Sequence, residues 1–187
     1  HNVTGSSRTF MGEEGAGISA LQTAFARIVS GQSTHILVGG ALNGEHEDVF
    51  LSYELGGYLQ RGGWSPLWSR GNRDGGGVIT GSGGAFLVLE NRSHAEARGA
   101  RVYAKLDAVA GNQVRRKDDA LARSIGGVMA AVDPSKSASV AISAASGAHA
   151  ATRDERTALE AHGVQAVRAF SGLTGHLKEA QMTFAVG

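Results

Sequence analysis

The 187-residue chain contains no cysteine. Its absence excludes disulfides, cysteine-ligated zinc and a thiol nucleophile within this segment. There is also no run of about 18 apolar residues able to span a bilayer, and no basic start leading into an apolar stretch of the signal-peptide kind. The expectation is a soluble, cytoplasmic protein. Charge of one sign is missing too: eighteen basic residues face seventeen acidic ones, net +1, with no dominant block. Neither a nucleic-acid partner nor a membrane is expected. The ends lack the marks of a complete domain, because His1-Asn2-Val3-Thr4 carries no initiator methionine and Met182 to Gly187 stops inside an apolar run. A fragment of something larger is expected.

What is present is ordinary globular material, 42% hydrophobic and 19% charged, enough for one sizeable core. Glycine punctuates it. A helix is expected at about 17–30, then a buried parallel strand His35 to Gly40, a mixed excursion over 44–60 and an irregular loop over 61–77. Strands are expected at Gly84 to Glu90 and Arg101 to Val109, separated by a helical turn at Ser93 to Arg98 that Gly99 ends. A helix at 118–131, a strand Ser139 to Ser143, a turn Gly147-Ala148-His149, a helix Asp154 to His162, a strand Val167 to Phe170 and an apolar helix from His176 complete the pass. Such alternation predicts an α/β fold with a largely parallel sheet.

Few residues in it suggest chemistry. Gly81-Ser82-Gly83-Gly84 enters a strand instead of joining a strand to a helix, which argues against phosphate binding. His46 with Glu47-Asp48 lacks partners at metal spacing and reads as a solvated loop. His35 and His94 are given no role. His149 and His176 differ, since each follows an apolar strand at its carboxyl end, where α/β folds bind ligands. The pair Glu13-Glu14 before the first helix has a plain explanation as a helix cap.

Several segments resemble one family in its own order. Leu21 to Ala41, Arg73-Asp74-Gly75, Gly81 to Glu90, His94 to Ala100 leading into Val102-Tyr103-Ala104, Ala148-His149 and Thr174-Gly175-His176-Leu177 are similar to the β-ketoacyl-carrier-protein synthases, the condensing enzymes of the thiolase fold. The resemblance implies a thiolase-like layered α/β/α/β/α fold, of which only the middle and later part is here: one partial domain, with residues 1–110 as the nucleophile-position half and 111–187 as the histidine-bearing half. It further implies a first helix buried between sheets on its Gly17, Ala20 and Ala24 face, and a dimer formed across a strand at about Thr4 to Phe10.

The same resemblance places Glu14 at the family's catalytic cysteine and Ser171 at the family's lysine, five residues before the second histidine. The loop after His149, Ala150-Ala151-Thr152, is shorter than the family's and lacks its glycine and threonines. Condensation requires a thiolate that accepts an acyl group from a thioester and passes it to a carbanion. A carboxylate gives a hydrolysable anhydride, and its charge opposes an enolate. His149 and His176 retain the capacity to donate toward a thioester oxygen.

Two readings follow. One is a non-condensing partner subunit similar to a chain-length factor; the other is a malonyl decarboxylase or atypical acyltransferase using His149 and His176. The implied partners are acyl carrier protein and either a second copy or a cysteine-bearing synthase. No cofactor is expected beyond the carrier's phosphopantetheine. Glu14 is expected at the helix head, forming a charge-assisted hydrogen bond of roughly 2.7–2.9 Å with His149 or His176.

Overall fold

A computed structural model describes residues 5–70, 76–115 and 117–187. The first helix, α1 (Gly15–Val29), buries Ala16, Gly17, Leu21 and Ala24, a spacing that puts them on one face. Leu21, Ala24 and Val38 form a core ringed by Ile36, Leu87, Leu89, Val109 and Met182. A Cβ at Gly17 would lie 3.0 Å from both the Glu179 carbonyl oxygen and Met182 Cβ, so α1 rests directly on the C-terminal segment.

β1 (His35–Leu42) pairs with β2 (Gly83–Glu90) in register from His35↔Glu90 to Leu42↔Gly83. Between them lie α2 (Glu47–Leu55) and the single turn α3 (Leu67–Arg70). After β2 come α4 (Arg92–Ala97), α5 (Ala120–Val132), β3 (Val140–Ser143), α6 (His149–His162), β4 (Ala166–Ala169) and the short α7 (Ser171–Thr174). A 3₁₀ turn, Lys178–Ala180, leads into α8 (Gln181–Val186).

Four expectations are corrected. The sheet is not largely parallel: β1–β2 is antiparallel and only β3–β4 is parallel. An apolar run signals burial but carries no information on the direction of its partner. Arg101 to Val109 has no regular secondary structure and pairs with no strand among the described residues; Tyr103 is 83% exposed, and Val109 packs against the core. α6 starts at His149, not Asp154, because Gly147, at φ +92°, turns the chain and donates its N–H to Thr152 Oγ1, so the helix begins at once. His176 is not helical, since its N–H donates to the Ile79 carbonyl and it bridges Thr80.

The flanks of α1 also differ from expectation. β1, β2 and α8 cover one side and Gly111 approaches Ile18, but Ser19, Ala26 and Val29 are exposed where a second sheet was expected. Of the expected dimer strand, Thr4 lies outside the described residues and Gly5 to Phe10 is irregular. Arg73-Asp74-Gly75 lies outside them as well.

Two glycine contrasts test this packing. Gly147→Ala puts a Cβ 2.2 Å from the Gly77 carbonyl oxygen at a positive φ, and should cost about 2–4 kcal/mol. Gly126→Ala, inside α5 with nothing within 4 Å, should gain about 0.5–1 kcal/mol. Denaturant titration of both variants measures the difference.

Candidate functional site

The histidine turns are positioned by main chain. Gly76 to Gly81 runs beneath both of them: the Gly76 carbonyl accepts from His149 N–H (3.3 Å), Ile79 accepts from His176 N–H (2.7 Å), and Gly81 donates to the His176 carbonyl (3.0 Å). The two carbonyl anchors are three residues apart, at most roughly 10 Å of extended chain. Side chains are excluded at the crossings. A Cβ at Gly77 would sit 1.9 Å from the Gly147 oxygen, and one at Gly81 would sit 1.8 Å from the Thr174 oxygen.

Glu14 stands at the N-cap of α1, yet its side chain makes no capping hydrogen bond. Its Oε1 lies 2.8 Å from His176 Nε2 instead. The carboxylate is half-exposed and the imidazole is completely buried. The distance is as expected but the charge-assisted hydrogen bond is not formed: the pair is in close polar contact without hydrogen-bond geometry at Nε2. Next to it, Glu13 at φ +55° meets Lys178 at φ +48°, with Nζ 3.5 Å from Oε1. Long side chains in this backbone region cost about 1–2 kcal/mol each, a strain that the docking of the α1 head onto the His176 turn must offset. Lys178 also faces Glu179 at 3.5 Å. Burial first, then the charges of Glu14, Glu13 and Glu179, raise the pKa of the nearby Tyr53 phenol.

The remaining expected residues occupy different places. His149, half-buried, is the first residue of α6, and its ring makes no hydrogen bond among the described residues. Ser171 is buried, and its Oγ accepts from Gln181 Nε2. Thus Glu14 and His176 meet directly, His149 shares their backbone rail, and Ser171 is tied to the His176 turn through Gln181.

Three contributors escaped the sequence reading. Gln181, 1% exposed, accepts from Leu177 N–H and donates to the Ala144 carbonyl and to Ser171 Oγ, lacing together the turns after His176, β3 and β4. A polar residue inside an otherwise apolar terminal run was its one signal. Arg70, also 1% exposed, donates to the Ser65 and Gly77 carbonyls under the Gly77–Gly147 crossing, and burial lowers its pKa. It borders a cleft of about 240 Å³ lined by Trp64, Thr80 and Ser171 to Gly175. Tyr53, from α2, stands edge-on to the His176 ring. Nothing in the sequence marks either of them.

Among the described residues no group of three His, Cys, Asp or Glu side chains is arranged to hold a metal ion. No described helix is long and apolar enough to cross a membrane.

No family model matches the chain, and no curated protein matches it. Solved structures do. A type II polyketide-synthase acyl-carrier protein in complex with its ketosynthase superposes with a TM-score of 0.74 at 24% identity, covering 97% of this chain and 48% of that one. The ishigamide ketosynthase/chain length factor gives 0.68 at 27%, covering 91% and 43%. A β-ketoacyl synthase from Burkholderia phymatum STM815 gives 0.72 at 21%, covering 93% and 45%. The chain thus spans less than half the length of these neighbours. Its fold is thiolase-like, of the ketosynthase and chain-length-factor kind, with part of that fold represented.

One half-buried carboxyl supports the His149 helix and gives a pH prediction. Glu155 of α6 accepts from Ser143 Oγ–H (2.7 Å) at the end of β3. Burial raises its pKa above the ordinary 4.5, and the Ser143 hydrogen bond only partly opposes this. The fold therefore favours the neutral carboxyl: its contribution is complete below the ordinary value and lost as pH rises through the raised one. Glu155→Gln, which can still accept from Ser143, should be more stable than the parent at pH 8 and lose that advantage below about pH 4. Melts across this range read the crossover.

Proposed function

We propose that the chain is a non-condensing partner subunit, similar to a chain-length factor, in fatty-acid or polyketide chain elongation. It pairs with a cysteine-bearing synthase and works on acyl groups carried by the phosphopantetheine of acyl carrier protein. The observation that carries this reading is the Glu14 carboxylate 2.8 Å from His176 Nε2 at the head of α1.

Glu14 stands where the family resemblance puts the nucleophile, and it blocks both halves of that chemistry. An acyl group on a carboxylate is an anhydride open to hydrolysis, not a store for a later condensation. The carboxylate also faces the histidine nitrogen that a thioester oxygen would need, and an enolate there would meet a like charge. At about 4 Å and an effective dielectric near 20 the repulsion is about 4 kcal/mol, reduced by water at the half-exposed Glu14. Ser171, engaged by Gln181, supplies no cation in the lysine's place. The glycine framework that positions the turns remains, and such a framework serves a subunit that shapes an acyl tunnel.

Two variants test this. Glu14→Gln removes the charge and should raise residual carbon dioxide release from malonyl carrier protein by about tenfold, equivalent to 1.4 kcal/mol. Glu14→Cys, at a helix N-terminus that lowers a thiol pKa, should take up acyl groups weakly and condense hardly at all. Mass spectrometry and carbon dioxide trapping give the readouts. Copurification of the parent with a cysteine-bearing synthase is expected. Carbon dioxide release by the parent alone that Glu14→Gln does not raise and His176→Ala abolishes, or full condensation by Glu14→Cys alone, overturns the reading.

A further inference from the structure

Arg70, the last residue of α3, is the largest of the fully buried side chains among the described residues. Its Nε donates to the Ser65 carbonyl at 2.7 Å and its Nη1 to the Gly77 carbonyl at 3.2 Å. These neutral acceptors fix the guanidinium in place without balancing its charge. Burial is the one cause that lowers its pKa, and no acid charge among the described residues opposes it. The group stays protonated all the same. A brace between two carbonyls needs N–H donors and not a charge, and a buried charge without a counter-ion is costly.

The adjoining cleft of about 240 Å³ gives that charge a role. Arg70 forms part of its wall together with Thr80 and Ser171, while Trp64, Ile79 and Leu173 supply apolar surface. No acidic side chain lines it among the described residues. Trp64 is 68% exposed and Leu173 93%, whereas Arg70 is enclosed. The cleft thus has an open apolar rim and a cationic inner wall. The wall is also firmly seated: Leu67, one turn of α3 before Arg70, is buried, and a Cβ at Gly172 would lie 3.9 Å from its Cβ. Sites for drug-sized ligands occupy roughly 300–1,000 Å³, so the occupant of this cleft is small.

We propose that the cleft is a binding site for a small organic carboxylate, its anionic head held at Arg70 and its short apolar body against Trp64 and Leu173. The bonds to Ser65 and Gly77 leave three of the guanidinium's five N–H groups to donate. A carboxylate meeting them forms charge-assisted hydrogen bonds and supplies the missing counter-charge where the dielectric is low. Inorganic phosphate offers the charge but no apolar body. Neither Glu14 nor His176 lines the cleft, so the assignment does not rest on the functional reading above.

Titration of the full chain with sodium butanoate at pH 7 tests it, followed through the Trp64 indole N–H in ¹H–¹⁵N spectra and assigned with a Trp64→Phe variant. A saturable shift is expected, with an intermolecular Overhauser contact from the butanoate methyl to Leu173. Butanamide, which keeps the body and loses the charge, and inorganic phosphate, which keeps charge and loses the body, should each bind about tenfold more weakly. Arg70→Met should weaken butanoate binding by about tenfold as well. Leu173→Asp decides the matter if Arg70→Met does not fold, since the position is exposed enough to spare the fold. Its like charge on the rim should weaken butanoate about fivefold and leave butanamide unchanged. Arg156→Gln, which removes an exposed charge from α6, should alter neither ligand. The proposal is overturned by the lack of a saturable shift, by butanamide or phosphate binding as tightly as butanoate, by an unaltered affinity in Leu173→Asp, or by a loss in Arg156→Gln as large as in Arg70→Met. Binding is read without carbon dioxide release or condensation, so failure here and failure of the functional reading are separately visible.

Discussion

Where Gly76 to Gly81 passes under the two histidine turns there is no room for a side chain, and the geometry of the site depends on that exclusion. Cβ atoms at Gly77, Gly81, Gly147 or Gly175 would fall 1.8–2.6 Å from a carbonyl oxygen across the crossing. Main chain therefore meets main chain, and the hydrogen bonds to His149 and His176 come from peptide groups that no substitution elsewhere alters. A site fixed in this way keeps its shape while the side chains pointing into it change. Glu14 and Ser171 both sit on this framework, Glu14 reaching His176 and Ser171 held by Gln181.

Glu14 would otherwise be an ordinary capping residue, and its diversion to His176 follows from its neighbours. With Gly12 and Glu13 both at positive φ, the chain turns sharply just before α1. Glu13 is thereby brought to Lys178, and Glu14 follows it onto His176. One charge contact supports the other. Neither is worth much alone, since exposed pairs contribute about 0–1 kcal/mol, but the buried imidazole raises the stakes of the second. The head of α1 and the turn after His176 are thus coupled, with Gly17 allowing the helix to lie against Glu179 and Met182.

The elements that were legible in the sequence are those whose signal is local. The apolar face of α1, the glycine after β1's apolar run, the small helix α4 stopped at Gly99 and the strands β3 and β4 all fall close to their expected limits. Strand direction was not legible, because β1 and β2 are joined by an irregular excursion of some forty residues whose return path no periodicity encodes. Arg101 to Val109 alternates like a strand but lacks a partner, and pairing is a tertiary fact. For the candidate site, His149 and His176 stand out by their places after apolar strands and Glu14 and Ser171 through the family resemblance, while Tyr53, Arg70 and Gln181 carry no such mark. These three act through burial and through contacts with residues distant in sequence, which a linear reading does not contain.

Gln181 decides how a substitution at Ser171 would be felt. Its amide is fully engaged: the carbonyl takes Leu177 N–H, and the two N–H groups go to Ala144 O and Ser171 Oγ. Ser171 is thus one end of a buried brace. A lysine substituted there would displace the glutamine's acceptor and bring a buried charge, costing several kcal/mol unless a carboxylate turned toward it. Residues this close do not act additively. The effect of a substitution at Ser171 therefore depends on Gln181, and the reverse holds as well.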